Sequence, residues 1–198
     1  MSERARHYLK ACSALLFVLS ALVMGCDLLA PPILIIRQGF EVGWEGWQKG
    51  SDVPQDPTTH RPVEWSIELS TKQAKEGYGS ARFFLDGRQD DGTIWLAKLL
   101  TVPKGRPLIV NLSFYLWSPE QSSNIRAYVV AYAGALLPVE EAEFTHKEPA
   151  DKAKGWRRYQ FTMPVASTAG ELWVALGISV AWETVLEYFI DDVRVEVR

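Results

Sequence analysis

Cysteine is nearly absent. Cys12 and Cys26 are the whole supply, and both lie near the N-terminus, so no disulfide framework can staple the rest of the chain. Histidine is scarce too. His60 and His146 are the only ones beyond the N-terminal stretch, and neither stands at a metal-ligand spacing. No serine sits in a G-x-S-x-G elbow, and no glycine loop has the phosphate-cradling pattern. Internal repeats are missing. Basic residues do not predominate: 21 Lys and Arg stand against 24 Asp and Glu. That balance gives no reason to expect nucleic acid or another anionic polymer as partner. Acids such as Glu64, Asp86, Glu171 and Glu183 leave a two-carboxylate hydrolase open, since that chemistry needs only a pair about 5–10 Å apart. Nothing singles out a pair.

The longest apolar run lies at the start of the chain. Arg4, Arg6 and Lys10 precede the greasy stretch Ala11 to Met24. This has the length of a signal-peptide core and is short for a membrane span. Leu22-Val23-Met24-Gly25-Cys26 resembles the lipobox of prokaryotic lipoproteins, although Val23 and Met24 depart from the usual residues at their positions. The resemblance implies a signal peptide over 1–25, cleavage before Cys26, and acylation of its sulfur. The partner at that end is then a membrane, and the folded part lies outside the cytoplasm. The other reading is an uncleaved anchor through Ala11 to Ile36. Against it stand Asp27, at about 2.5–3.5 kcal/mol for an acid within a span, and the helix-breaking Pro31-Pro32. Cleavage would remove Arg4, Arg6, Lys10 and Glu3, leaving 18 basic against 23 acidic side chains.

Residues 26–37 read as the lipidated cysteine, a tether and a possible first strand, and 38–198 as one domain. Period-two alternation recurs through it. Val63, Trp65, Ile67 and Leu69 share one parity. So do Leu108, Val110, Leu112, Phe114 and Leu116, then Tyr159, Phe161 and Met163, then Leu172, Val174, Leu176, Ile178 and Val180. Further strands are expected near 33–37, 80–86, 93–102, 125–133 and 186–197. Turn chemistry separates them at Asp86-Gly87, Asp91-Gly92, Pro103-Lys104-Gly105 and Ala169-Gly170. Pro138 to Lys154, rich in Glu, Lys and Ala, reads as a long excursion loop. Short strands without intervening helices predict an all-β fold, an antiparallel β-sandwich or jelly roll.

Phe40-Glu41-Val42-Gly43, followed by Trp44-Glu45-Gly46-Trp47, resembles the opening of carbohydrate-binding modules with the galactose-binding-like jelly roll. Ala74 to Ser80 is similar to that group's turn into the next strand, and Tyr188-Phe189-Ile190-Asp191-Asp192-Val193 to its closing strand. The resemblance covers roughly 38–198. It implies a structural calcium with Glu41 and Asp191 as side-chain ligands, joined by carbonyls of the Gly77–Ser80 turn. Strand parity independently puts Asp191 on one face with Phe189, Val193, Val195 and Val197, where a carboxylate must be paired, hydrogen-bonded or metal-bound. Oxygen donors suit calcium; backbone N–H donors would serve Asp191 as well.

A polysaccharide or other glycan is the expected ligand, held by aromatic faces with polar groups beside them. Asn111, Ser113, Tyr115 and Trp117 share one strand face, Arg126, Tyr128 and Tyr132 another, and the small Ala175, Gly177 and Ser179 a third. If the three faces adjoin, they form an aromatic-floored groove; Tyr and Trp are also good strand formers that need no ligand. Trp44, Trp47, Trp95 and Trp182 are weaker candidates, with Trp65 and Trp182 on core parity. The sequence therefore predicts a non-catalytic, membrane-anchored carbohydrate-binding protein. The alternatives are a structural or protein-interaction module of the cell envelope, and a small polysaccharide-degrading enzyme. For the anchor, Cys26→Ser should block cleavage and lipid retention, and an intact mass showing any N-terminus other than an acylated Cys26 would refute it.

Overall fold

The computed structural model describes residues 31–198; Cys26 and the signal-like segment before it lie outside the described residues. The alternating segments become strands. They are β1 (Leu34–Gln38), β2 (Gln48–Asp52), β3 (Trp65–Ser70), β4 (Ser80–Gly87), β5 (Thr93–Thr101), β6 (Arg106–Ser118), β7 (Ala127–Gly134), β8 (His146–Pro149), β9 (Gly155–Ser167), β10 (Glu171–Val180) and β11 (Thr184–Val197). All pairings are antiparallel. One sheet runs β3-β4-β11-β6-β9, with β1 joined to the later half of β11, and the other runs β2-β5-β10-β7-β8. The fold is an antiparallel β-sandwich of the jelly-roll type, as the patterning predicts.

The core lies between the sheets and takes the expected parities. Val110, Leu112, Phe114 and Leu116 of β6 meet Leu172, Val174, Leu176 and Ile178 of β10, all fully buried. Each such side chain contributes about 1.5–3 kcal/mol by leaving water. Sequence reading misses β2 and β8. Gln48-Lys49-Gly50-Ser51-Asp52 has no apolar alternation to read, because it lies at a sheet edge. The 138–154 segment is a loop for most of its length, holding one 3-10 turn (Glu141–Glu143) and β8. Trp182 departs from its expected core placement: β10 ends at Val180, and Trp182 stands 65% exposed in the turn beyond it.

A larger departure lies in β11. Its register against β6 shifts between Asp191 and Arg194, and Asp192 takes a left-handed φ of 48°. A bulge of this kind reverses which residues face inward. Ile190 and Val193 both enter the core, while Phe189 and Asp191 pair with Trp117 and Tyr115 on the outer face. Asp191 therefore does not share a face with Val193, Val195 and Val197. It is nonetheless fully buried, because the 38–41 and 73–79 segments lie over it.

Inside the sandwich one polar cluster ties the end of β8 to the opposite sheet. Tyr188 Oη and Ser118 Oγ donate to Asp151 Oδ1 at 2.7 and 2.9 Å. Tyr159 Oη donates to the Ala150 carbonyl at 2.7 Å. Burial pushes the Tyr159 phenol up to about 12, and burial together with the Asp151 charge raises Tyr188 further. Both hydroxyls thus stay donors at any physiological pH. Tyr188→Phe removes a donor from a buried carboxylate, so urea unfolding should report a loss of about 1–3 kcal/mol. An unchanged midpoint would mean that Asp151 finds another partner.

Candidate functional site

The strand order separates the residues expected in one groove. β6 belongs to one sheet, and β7 and β10 to the other. Asn111, Tyr115 and Trp117 therefore look outward from one side of the sandwich, and Tyr128 and Tyr132 from the opposite side. Arg126 precedes β7, ion-paired with Glu120 and bonded to Thr184 Oγ1 at 3.3 Å. The physical reason is topological: β6 and β7 are consecutive in sequence, but the chain crosses between the sheets to join them.

On the β7 side, part of the expected trough forms. Ala175 stands opposite Tyr132, Gly177 opposite Val130, and Ser179 opposite Tyr128. A Cβ at Gly177 would collide with the Ile94 carbonyl and Trp95, so only glycine allows Trp95 to lie this close. The trough is filled by the chain itself. Phe144 lies 5.1 Å from Trp95 and 6.0 Å from Tyr132, ring centroid to centroid, and both Phe144 and Trp95 are buried. Glu141 fastens the cover, its carboxylate accepting from Thr93 Oγ1 at 2.6 Å and Ser179 Oγ at 3.1 Å. Its own N–H donates to Asp52 Oδ2 at 2.8 Å. Tyr132 Oη donates to the Leu136 carbonyl at 2.8 Å, and burial raises its pKa. Trp47, another candidate, is core, and Trp44 packs edge-on to Phe40 at 5.9 Å.

The β6 side is open. Trp117 is half-buried, edge-on to Phe189 at 5.6 Å. Its partner across β9 is Trp156, and the next row pairs Tyr115 with Arg158. Lys75 Nζ lies 4.7 Å from the centre of the Tyr115 ring. Two shallow depressions, of about 240 and 210 Å3, adjoin this row and meet at Ser113, Arg158 and Arg194. Asn111 borders the smaller one and accepts from Thr162 Oγ1 at 2.8 Å. Trp156, Arg158 and Arg194 are not legible as neighbours of Tyr115, because the β6–β9 and β6–β11 pairings join distant segments. Only the outward parity of Arg158 in its strand hints at it.

Glu41 and Asp191 do come together. The point where a Gly39 Cβ would stand is 3.8 Å from Asp191 Oδ1 and 3.9 Å from Glu41 Oε1. Asp191 accepts backbone N–H bonds from Lys75, Glu76 and Asp192 at 2.7, 3.1 and 2.6 Å. Glu41 accepts from the N–H groups of Tyr78 and Gly79, so the turn meets it with amides. Among the described residues, no group of three or more His, Cys, Asp or Glu gathers as a metal site, and neither carboxylate pairs with a cation. The donors that fit a calcium ion are thus two like-charged carboxylates side by side, of the right hardness and short of a full shell.

An open depression of about 630 Å3 bears on the enzyme reading, since Asp56, Glu64 and Asp86 border it. The Thr59 amide holds Asp56 below the usual carboxylate range, and the Arg88 guanidinium does the same for Asp86. Neither aspartate is raised toward the role of general acid.

No protein-family model matches the chain, and no curated protein matches it. Solved structures do. A carbohydrate-binding module studied for specific mannan recognition superposes with a TM-score of 0.53 at 18% identity, covering 85% of this chain and 99% of that one. A second, from work on promiscuous modules of the β-sandwich superfamily, gives 0.50 at 13%, covering 79% and 59%. The xylan-binding domain of a Paenibacillus barcinonensis protein gives 0.47 at 16%, covering 85% and 97%. The first two likenesses bear out the sandwich fold.

Burial is the largest influence on the Asp191 carboxyl and raises its pKa, opposed by its three backbone donors and reinforced by Glu41. A folded-state value above the unfolded one gives stability that is full below the ordinary aspartate pKa, about 3.9, and is lost as pH rises through the raised value. With chelator present, Asp191→Asn should flatten that part of the pH–stability curve. An unchanged curve would assign the slope to another group.

Proposed function

We propose that this chain is a non-catalytic glycan-binding lipoprotein, held to a membrane outside the cytoplasm by lipid on Cys26. The observation that carries the binding half is the outward aromatic row of Trp117 and Trp156, with Tyr115 one row away and hydrogen-bonding groups beside it. Aromatic faces stack on the C–H surface of a sugar, and Gln160 and Asn111, four and six residues along the strands from that row, would bond hydroxyls of further sugars in the same polymer. The sandwich is shared with a module studied for mannan recognition, which supports the class of ligand. For the anchor, only residues 27–30 separate Cys26 from the described domain. At about 3.3–3.6 Å per residue that tether keeps the domain within roughly 20 Å of its lipid.

Trp156 lies on an edge strand and is the cleaner test. Trp156→Ala should weaken polysaccharide binding on the order of tenfold, about 1.4 kcal/mol, with little change in melting temperature. Trp117→Ala should weaken it likewise and also uncover Phe189. Calorimetric titration of the detergent-solubilised chain against soluble mannan, xylan and polyuronate decides this. Unaltered affinity in both variants would move the reading to a structural module.

The like-charge pair favours a second component: Glu41 and Asp191 would hold one calcium ion. When bound, the ion would neutralise the pair and clamp the 38–41 segment and the 73–79 turn onto β11. Ions that bind only the folded state stabilise it by mass action. Calcium should therefore raise the melting temperature, and Asp191→Asn should abolish the rise. A wild-type melting curve unmoved between calcium and chelator would leave both carboxylates as acceptors for backbone amides.

A further inference from the structure

The open face carries a charge pattern that the fold does not require. Arg37 of β1 stands directly opposite Arg194 of β11, and Arg194 opposite Ser113 of β6. Like charges placed directly across a strand pair destabilise it, by roughly 0.2–1 kcal/mol. Arg158 comes into the same place from β9, donating to Ser113 Oγ at 3.2 Å. The larger depression is lined by all three arginines. Glu196 is the acid nearest to neutralising the cluster, but its two oxygens are already shared between Arg194 and Arg198. Neither Arg37 nor Arg158 makes an ion pair among the described residues. Arg194 Nε is buried without a hydrogen-bond partner. Glu76 and Asp192 line the same depression of about 240 Å3, so its three arginines exceed its acids by one charge, and an anion is favoured on the arginine side alone.

We infer that this face binds an anionic polysaccharide, with a carboxylate or sulfate of one sugar seated over Arg37, Arg158 and Arg194. The inference rests on the glycan reading and names its ligand class. A guanidinium presents a planar fork of N–H donors that matches the oxygens of a carboxylate or a sulfate. Tyr115 and Arg158 occupy one cross-strand row and Trp117 and Trp156 the row two residues on, about 6–7 Å away along the strand. One sugar can stack on the tryptophans while the next delivers its anionic group to the arginines. The overall acidity of the chain speaks against non-specific polyanion binding, so an anion held here is held by local geometry.

The test compares retention of the detergent-solubilised full chain by polygalacturonate, dextran sulfate, neutral mannan and single-stranded DNA, at physiological ionic strength. One of the two acidic polysaccharides should bind at least tenfold more tightly than mannan; polygalacturonate in front assigns a carboxylate, dextran sulfate a sulfate ester. The double variant Arg37→Gln, Arg158→Gln alters two exposed side chains and should erase that preference while leaving weak neutral binding. Trp156→Ala should weaken acidic and neutral binding by the same factor. Equal retention by mannan, equal retention by DNA, or a preference that survives the double variant overturns the anion site and leaves the glycan reading standing. No retention by any polysaccharide overturns the glycan reading and this inference with it.

Discussion

The bulge in β11 is the constraint on which the rest of the sandwich depends. β11 is long enough to pair with β4 in its first half and β1 in its second, while β6 lies along its other edge from Phe189 to Val197. A strand with strict alternation would turn either Leu186, Tyr188 and Ile190 or Val193, Val195 and Val197 to solvent. The left-handed Asp192 absorbs the extra residue, and both sets reach the core. The outer surface is shaped by it in two places. Asp191 emerges beneath the segments that carry Glu41 and the Lys75–Gly79 turn; its carboxylate accepts from the Lys75 and Glu76 amides, and Glu41 accepts from Tyr78. Arg194 emerges beside Arg37, where an unbulged register would have pointed it inward.

The same bulge marks the limit of what the sequence discloses. Strand positions are legible because one buried face writes itself as alternation, as in Leu108 to Leu116, whose apolar members of that parity are all buried. Pairing is not legible, because it joins segments as distant as Asn111 and Glu196 through backbone bonds that leave no mark on side-chain type. Tyr115 and Tyr128 therefore read as possible neighbours and stand on opposite faces. Asp191 stands out in the sequence for a sound reason, a carboxylate amid apolar residues, yet parity misplaces it because a single Asp at 192 tolerates left-handed backbone without requiring it. Trp182 is misplaced in a simpler way: alternation carried on to it runs two residues past the end of β10.

The two outer faces carry opposite solutions to the same problem. Ala97, Ala175 and Gly177 leave a hollow floored by Trp95, and a contiguous apolar hollow of that kind is costly to leave wet. The 135–145 loop closes it with Phe144, and Glu141 replaces the water that Thr93 and Ser179 would otherwise hold. This face serves stability. The β6 face has no such apolar hollow to close, since Asn111, Arg158, Gln160 and Thr162 are content in water.

That contrast bears on where recognition is possible at all. A ligand at the closed trough would have to displace Phe144 from Trp95 and Tyr132 and break the hydrogen bonds of Glu141 before gaining a contact. A ligand at the open face displaces only water, and meets aromatic rings already fixed by Phe189 beneath Trp117 and by the β6–β9 ladder. Side chains held in place before binding lose less conformational freedom on binding. The open face is therefore where a modest set of contacts would yield net affinity for the proposed ligand, whereas the small residues that read as a groove in the sequence lie on the other side.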